Sequence, residues 1–280
     1  MTILGDAIAP RGGMIALASL ISLARPFGLT DRLVRTSIGR LANEQWVSSQ
    51  RSGRASYYSL TANGRARFAE ATQRIYGAPS DSWNGQWTLV MVPPSQNRLR
   101  DQLRDELSWL GFGEVRSGVF AHPTPKEDMI RARLAELESA GQVIVIQGGV
   151  VARESDAQLV AMGWDFGDLT RRYRRFISMF APVNDALPAA NAAAGDTAFV
   201  LRTLLLHEYR KIHLRDPLLP ARLLPEQWAG ADAQALCRTL YAKVFPASEE
   251  YLSSTVQTLS GALPKPAQEV FARFGGLPRA

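Results

Sequence analysis

A multidomain α+β architecture is predicted for this 280-residue chain by three features of its sequence. A helix, helix, hairpin, helix pattern opens the chain. A β-α-β-α-β pattern with room for a hairpin fills the centre. Beyond Arg153 the apolar spacing is almost wholly helical.

In the first segment, Met14, Leu17, Leu20, Ile21 and Ala24 recur at helical spacing, and Pro26 with Gly28 ends the run. The next helix has Thr30 or Asp31 available as a cap. Val34, Ile38 and Leu41 fall on one of its faces, whereas Arg32, Arg35, Thr36, Gly39, Arg40 and Asn43 fall on the other. WVSSQR and ASYYSLT read as two strands joined at Ser52-Gly53, with Arg51 and Arg54 flanking the turn. Thr61 can cap a third helix, ANGRARFAEATQRI. This is the layout of a winged helix-turn-helix, predicted over residues 1–77. The second helix of such a module enters the major groove, while the hairpin wing reaches neighbouring phosphates. Gly39 permits close approach to DNA at a cost in helix stability. The competing reading is an amphipathic helix with a solvated polar face.

The charge distribution bears on that choice. The net charge is +6, and residues 1–75 hold ten arginines, no lysine and four acids (Asp6, Asp31, Glu44, Glu70), which already makes +6. The remaining 22 basic and 22 acidic side chains cancel. A local, arginine-only excess is the electrostatic footprint expected of a nucleic-acid-binding module, because the planar guanidinium fork suits phosphates and guanine edges.

From Ala78 to Gln86 the composition turns to Pro, Ser, Asp, Asn and Gly, which predicts a domain boundary. A ferredoxin-like α+β domain is expected over residues 85–152. It starts with the strand WTLVMVPP and a helix whose Leu99, Leu103, Leu107 and Leu110 share one face. Strands and a hairpin follow around Glu114 to Ala121, then a second helix and a final strand QVIVIQGGVV. An all-α domain is expected over residues 153–280, interrupted by a connector from Pro182 to Gly195.

Several function classes are excluded. Cys237 is the single cysteine, so no intrachain disulfide or thiolate metal site can form. His207 and His213 are six residues apart, the wrong spacing for a metal pair on one helix face. No nucleophile elbow and no phosphate-binding glycine motif is present. No catalytic residue, cofactor or metal is therefore expected. The apolar run Met14 to Ala24 is too short to span a bilayer and no basic stretch precedes it, so a cytoplasmic protein without membrane attachment is expected.

The segments FGLTDRLVRTSIGRLANEQWV, RSGRASYYSLTANGR, WTLVMVPP, RLRDQLRDELSWLGFGEVRSGVFAHP and LRTLLLHEYRKIHLRDPLLPARLLPEQWAG together resemble the PaaX family, from about Gly5 to about Leu252. These are transcriptional repressors of aromatic degradation. The resemblance implies a homodimer that binds double-stranded operator DNA and leaves it when an aryl-acyl-CoA thioester such as phenylacetyl-CoA accumulates. Recognition-helix and wing roles then fall to Arg32, Arg35, Thr36, Arg40, Arg51 and Arg54. The central segment also looks like the small ferredoxin-like nuclease of CRISPR adaptation, which gives an alternative reading as a metal-dependent DNA-processing nuclease. Its first strand, Leu89 to Pro93, lacks the carboxylate that such a metal site needs, so a dimerisation or scaffold role is expected instead.

A thioester effector calls for cations at one end of its pocket and aromatic walls at the other. The candidates are Arg171, Arg174, Arg175, His207, Arg210 and Arg215 for the first, and Trp164, Tyr209 and Trp228 for the second. For each of them a plain structural role, as interhelix hydrogen-bonding group or solvated face, competes with the ligand role.

Overall fold

The computed structural model describes residues 1–77, 83–92, 98–123, 127–136, 143–152, 154–187 and 193–277. Much of the boundary expected at Ala78 to Gln86 lies outside the described residues. In chain order the first elements are β1 (Met14–Ala16), α1 (Leu17–Ala24), α2 (Asp31–Asn43), β2 (Val47–Ser52), β3 (Ala55–Leu60) and α3 (Ala62–Tyr76). Next come β4 (Gln86–Met91), α4 (Arg98–Trp109), β5 (Gly113–Arg116), β6 (Val119–His122), α5 (Glu127–Glu136) and β7 (Ile144–Gly149). The rest comprises α6 (Glu154–Gly163), α7 (Phe166–Ala186), α8 (Gly195–His213), α9 (Gly230–Thr255), β8 (Gln257–Thr258) and β9 (Gly261–Ala262). The described chain forms two compact units: Met1–Ala78 with Arg175–Lys211 and Ala231–Ala280, and Pro79–Arg174 with Ile212–Gly230.

In the first unit, β1, β3 and β2 form an antiparallel sheet in that order. The helical spacing expected from Met14 begins at Leu17, because Met14–Ala16 pairs with Tyr57–Ser59 as a strand. Thr30 caps α2, its hydroxyl accepting from the Leu33 amide at 3.3 Å, and Thr61 caps α3 through the Gly64 amide at 2.9 Å. Val34, Ile38 and Leu41 of α2 are buried with Leu20, Leu23, Val47, Leu60 and Phe68. The same core takes in Phe199 of α8, Leu252 of α9, and Val256 and Leu263. The opening segment and the C-terminal helices thus share one core. Among its described residues the C-terminal segment is mainly helical but also carries the short β8–β9 ladder, which amends the all-α expectation. α7 runs on through Pro182, into the connector expected from Pro182 to Gly195, and α9 continues through Pro246.

Charge is also buried in this unit. Asp6 Oδ1 accepts from the Tyr76 and Tyr241 hydroxyls at 2.6 and 2.8 Å and from Arg273 Nη1 at 2.8 Å. Its Oδ2 accepts from Arg202 Nε at 2.7 Å. Arg202 also donates to Glu249 at 2.6 Å, and Glu249 in turn takes a hydrogen bond from Arg11. These five charged side chains are all buried.

In the second unit the β-α-β-β-α-β chain order and the sheet order β5-β6-β4-β7, antiparallel throughout, give the ferredoxin-like topology. Leu103, Leu107 and Leu110 are buried with Val90, Phe112, Phe120 and Ile130. The side chain of Leu99 lies outside the described residues. A second cluster, Trp83, Trp87, Val115 and Ala121, packs against Leu159, Val160 and Trp164. Gly113 makes this packing possible, since a Cβ there would lie 2.6 Å from the Gly163 carbonyl oxygen. β7 is an edge strand with all six residues exposed, including Ile144, Val145 and Ile146. No helix among the described residues is long and apolar enough to cross a membrane.

Candidate nucleic-acid interface

Burying Val34, Ile38 and Leu41 fixes the rotation of α2. Its opposite face presents Arg32, Arg35, Thr36, Arg40 and Asn43 to solvent. Arg40 pairs with Glu44, and Arg25 with Asp31, each at 3.7 Å and well exposed. Such pairs are weak and screened by salt. Among the described residues Arg32, Arg35, Arg51 and Arg54 meet no protein acceptor. Gly39 is half-buried on this helix, yet no neighbouring atom lies within 4 Å of where its Cβ would stand. Packing inside the protein therefore does not require a glycine at this position.

The hairpin pairs Val47 with Leu60 and runs out to Ser52 opposite Ala55. The two loop residues are Gly53, at φ +58°, and Arg54, so Arg54 stands at the apex rather than beside it. Arg51, Ser52, Gly53 and Arg54 are all exposed. Leu60 is buried, and Tyr58 packs against the same core, which anchors the returning strand.

The nine effector candidates are divided between the two units. In the first unit, Tyr209 is fully buried, its ring 5.6 Å from Phe176. His207 Nδ1 lies 3.1 Å from the Thr2 hydroxyl; burial, then Arg210, holds its pKa below the usual histidine value. Arg210 is half-buried and Arg175 exposed. In the second unit, Arg171 pairs with Asp168 at 3.2 Å, Arg174 donates to Gln227 at 3.2 Å, and Arg215 is exposed. Trp228 packs edge-on against Phe166 and Tyr173, and Trp164 donates to the Gly111 carbonyl at 3.1 Å. Of these nine, only Trp164 lines the large open groove of this unit, alongside Trp83, Phe166 and Arg222, which the sequence reading did not single out. The signal available was the i, i+4 series Asp156, Val160, Trp164 with its small neighbours Ala157 and Ala161.

The comparisons with known proteins bear on the whole chain. Family models described as PaaX-like protein, PaaX protein central Cas2-like domain and PaaX-like protein C-terminal domain match residues 1–64, 80–160 and 164–254. Transcriptional repressor PaaX of Escherichia coli (strain K12) is 36% identical over 277 residues, covering 98% of this chain and 88% of that protein. The chain belongs to the PaaX family of transcriptional repressors. A solved structure, uncharacterized protein Rv0674 from Mycobacterium tuberculosis, aligns with a TM-score of 0.57 at 22% identity, covering 88% of this chain and 94% of that one, and shows a shared fold.

PaaX membership makes the chain a regulator and not an enzyme, which removes the nuclease alternative. The Cas2-like part carries no carboxylate on β4, from Gln86 to Met91. Among the described residues no group of three or more His, Cys, Asp or Glu side chains is placed to hold a metal ion.

Proposed function

We propose that the chain is a cytoplasmic, homodimeric repressor of an operon for degrading a phenylacetate-type aromatic compound. An aryl-acyl-CoA thioester such as phenylacetyl-CoA releases it from its operator. Residues 1–77 act as a winged helix-turn-helix, with α2 as recognition helix and β2–β3 as wing. The observation that carries this reading is that Arg32 and Arg35 on α2 and Arg54 at the hairpin apex meet no acceptor among the described residues, in a segment that holds the whole charge excess. Residues 85–152 serve as the dimerisation module. The exposed apolar residues Ile144, Val145 and Ile146 on the free edge strand β7 support that role.

The test is retardation of an operator fragment, with sedimentation of the complex giving the number of chains bound. Two chains per operator are expected. Arg35→Ala should weaken operator binding about 5- to 150-fold, the range for loss of one base contact. Phenylacetyl-CoA should release the DNA where free phenylacetate does not. Unchanged retardation by Arg35→Ala overturns the recognition-helix assignment, and equal effects of the two ligands overturn thioester recognition.

Gly39 gives a test with opposite signs. Gly39→Ala should stabilise α2 by roughly 1 kcal/mol, because alanine has the higher helix propensity and open space surrounds the new methyl group. The same variant should bind operator less tightly, since the methyl group stands where DNA closes on the helix. A raised melting temperature with unchanged operator affinity would show that DNA does not approach at Gly39.

A further inference from the structure

The second unit holds an open groove of about 900 Å³ lined by α6, the Ala221–Leu223 turn and the residues beside β4. Asp156, Ala157, Val160 and Ala161 supply one wall, and Leu223, Leu224 and Pro225 another. Trp83, Trp164 and Phe166 give it aromatic surface. The indole donors are already used within the protein. Trp83 donates to the Gln86 carbonyl at 2.6 Å and Trp164 to the Gly111 carbonyl at 3.1 Å. Both therefore offer a ligand their rings alone. Asp156 is itself engaged, accepting from Trp87 Nε1 at 2.8 Å.

Besides Asp156, the charged side chain among the described lining residues is Arg222. Its guanidinium carbon sits 3.9 Å from the Trp83 ring centroid, a stacking that holds a long side chain in place. Among the described residues it meets no carboxylate and no hydrogen-bond acceptor, so its donors face outward unpaired. Aromatic and aliphatic walls with an unsatisfied cation among the described lining residues match a flat aromatic body that carries an acidic or acyl oxygen. The volume lies within the range of sites for one small molecule. The lining comes from both sides of a family-model boundary: Trp83 to Val160 belong to the central match, and Trp164 to Pro225 to the C-terminal one.

We infer that this groove is the binding site for the aromatic acyl portion of the effector, with Arg222 meeting its oxygen and Trp83, Trp164 and Phe166 enclosing its ring. The choice of probe rests on the effector reading above. Calorimetric titration of the full chain with phenylacetyl-CoA is the measurement, with butyryl-CoA as the non-aromatic control. Phenylacetyl-CoA should bind at least tenfold more tightly than butyryl-CoA. Ala161→Trp fills the groove from an exposed helix position, and Arg222→Gln removes the exposed cation, so neither burdens the core. Each should weaken phenylacetyl-CoA binding tenfold or more, with an unchanged melting temperature of the ligand-free protein. Wild-type affinity in both variants overturns the site, as does a wild-type chain that binds neither thioester. Operator retardation by the ligand-free wild type separates the two ideas. If it fails, the repressor reading falls while the titration still judges the groove.

Discussion

Asp6→Asn is expected to destabilise the first unit by about 3–5 kcal/mol, the range for breaking a buried ion pair from one side. Asparagine is nearly isosteric, so the loss comes from charge and not from a cavity. The native carboxylate accepts four hydrogen bonds, from Tyr76, Tyr241, Arg202 and Arg273. An amide oxygen cannot satisfy that set, and its NH2 group turns a donor toward donors. Arg11, Arg202 and Arg273 would then have Glu249 as their only remaining buried counter-charge in this network. Urea unfolding followed by tryptophan fluorescence and far-UV circular dichroism measures the loss. A midpoint equal to wild type would show that the network contributes nothing net.

The pH dependence of that difference has a fixed sign. Burial alone would raise the Asp6 pKa, but Arg202, Arg273 and the Tyr76 hydrogen bond outweigh it and hold the carboxyl below its usual value. A carboxyl with a depressed folded-state pKa contributes its stability above the unfolded value of about 4 and loses it as pH falls through the folded value. The gap between wild type and Asp6→Asn should therefore stay level from neutral pH down to about 5. It should narrow only in more acidic solution.

Asp6 also marks where the sequence stops being informative. In LGDAIA it reads as one acid in an apolar stretch, and its partners Arg202 and Arg273 lie 196 and 267 residues away. No local period reveals such a contact. The same holds for the core shared by α1, α2, α8 and α9, because an amphipathic face shows that a helix is covered without showing by what. Met14–Ala16 was ambiguous for a different reason. A short apolar run fits a buried helix turn and a buried strand equally, and pairing with β3 decides it. By contrast, the polar face of α2, the hairpin and the central ferredoxin-like order were legible. Each is set by local capping, by spacing within one element, or by a turn glycine. The aromatic groove draws on three separate segments, so only its α6 wall had a readable spacing.

Arg51→Ala with Arg54→Ala should weaken binding to operator and to random duplex by the same factor. Both guanidiniums stand at the exposed end of the hairpin and meet no protein acceptor among the described residues. Phosphate contacts carry no sequence information, and each neutralised phosphate adds about 0.9 to the slope of log affinity against log salt. Losing two should lower that slope by about 2, which amounts to roughly 30-fold in affinity at 0.15 M salt relative to a 1 M reference. Arg35→Ala should behave otherwise, because a base contact in the major groove weakens operator binding more than random binding. Filter-binding titrations on both DNAs at four salt concentrations separate the two patterns. A double hairpin variant that loses operator affinity alone would make the hairpin a reader of bases, and α2 would then no longer account for operator choice by itself.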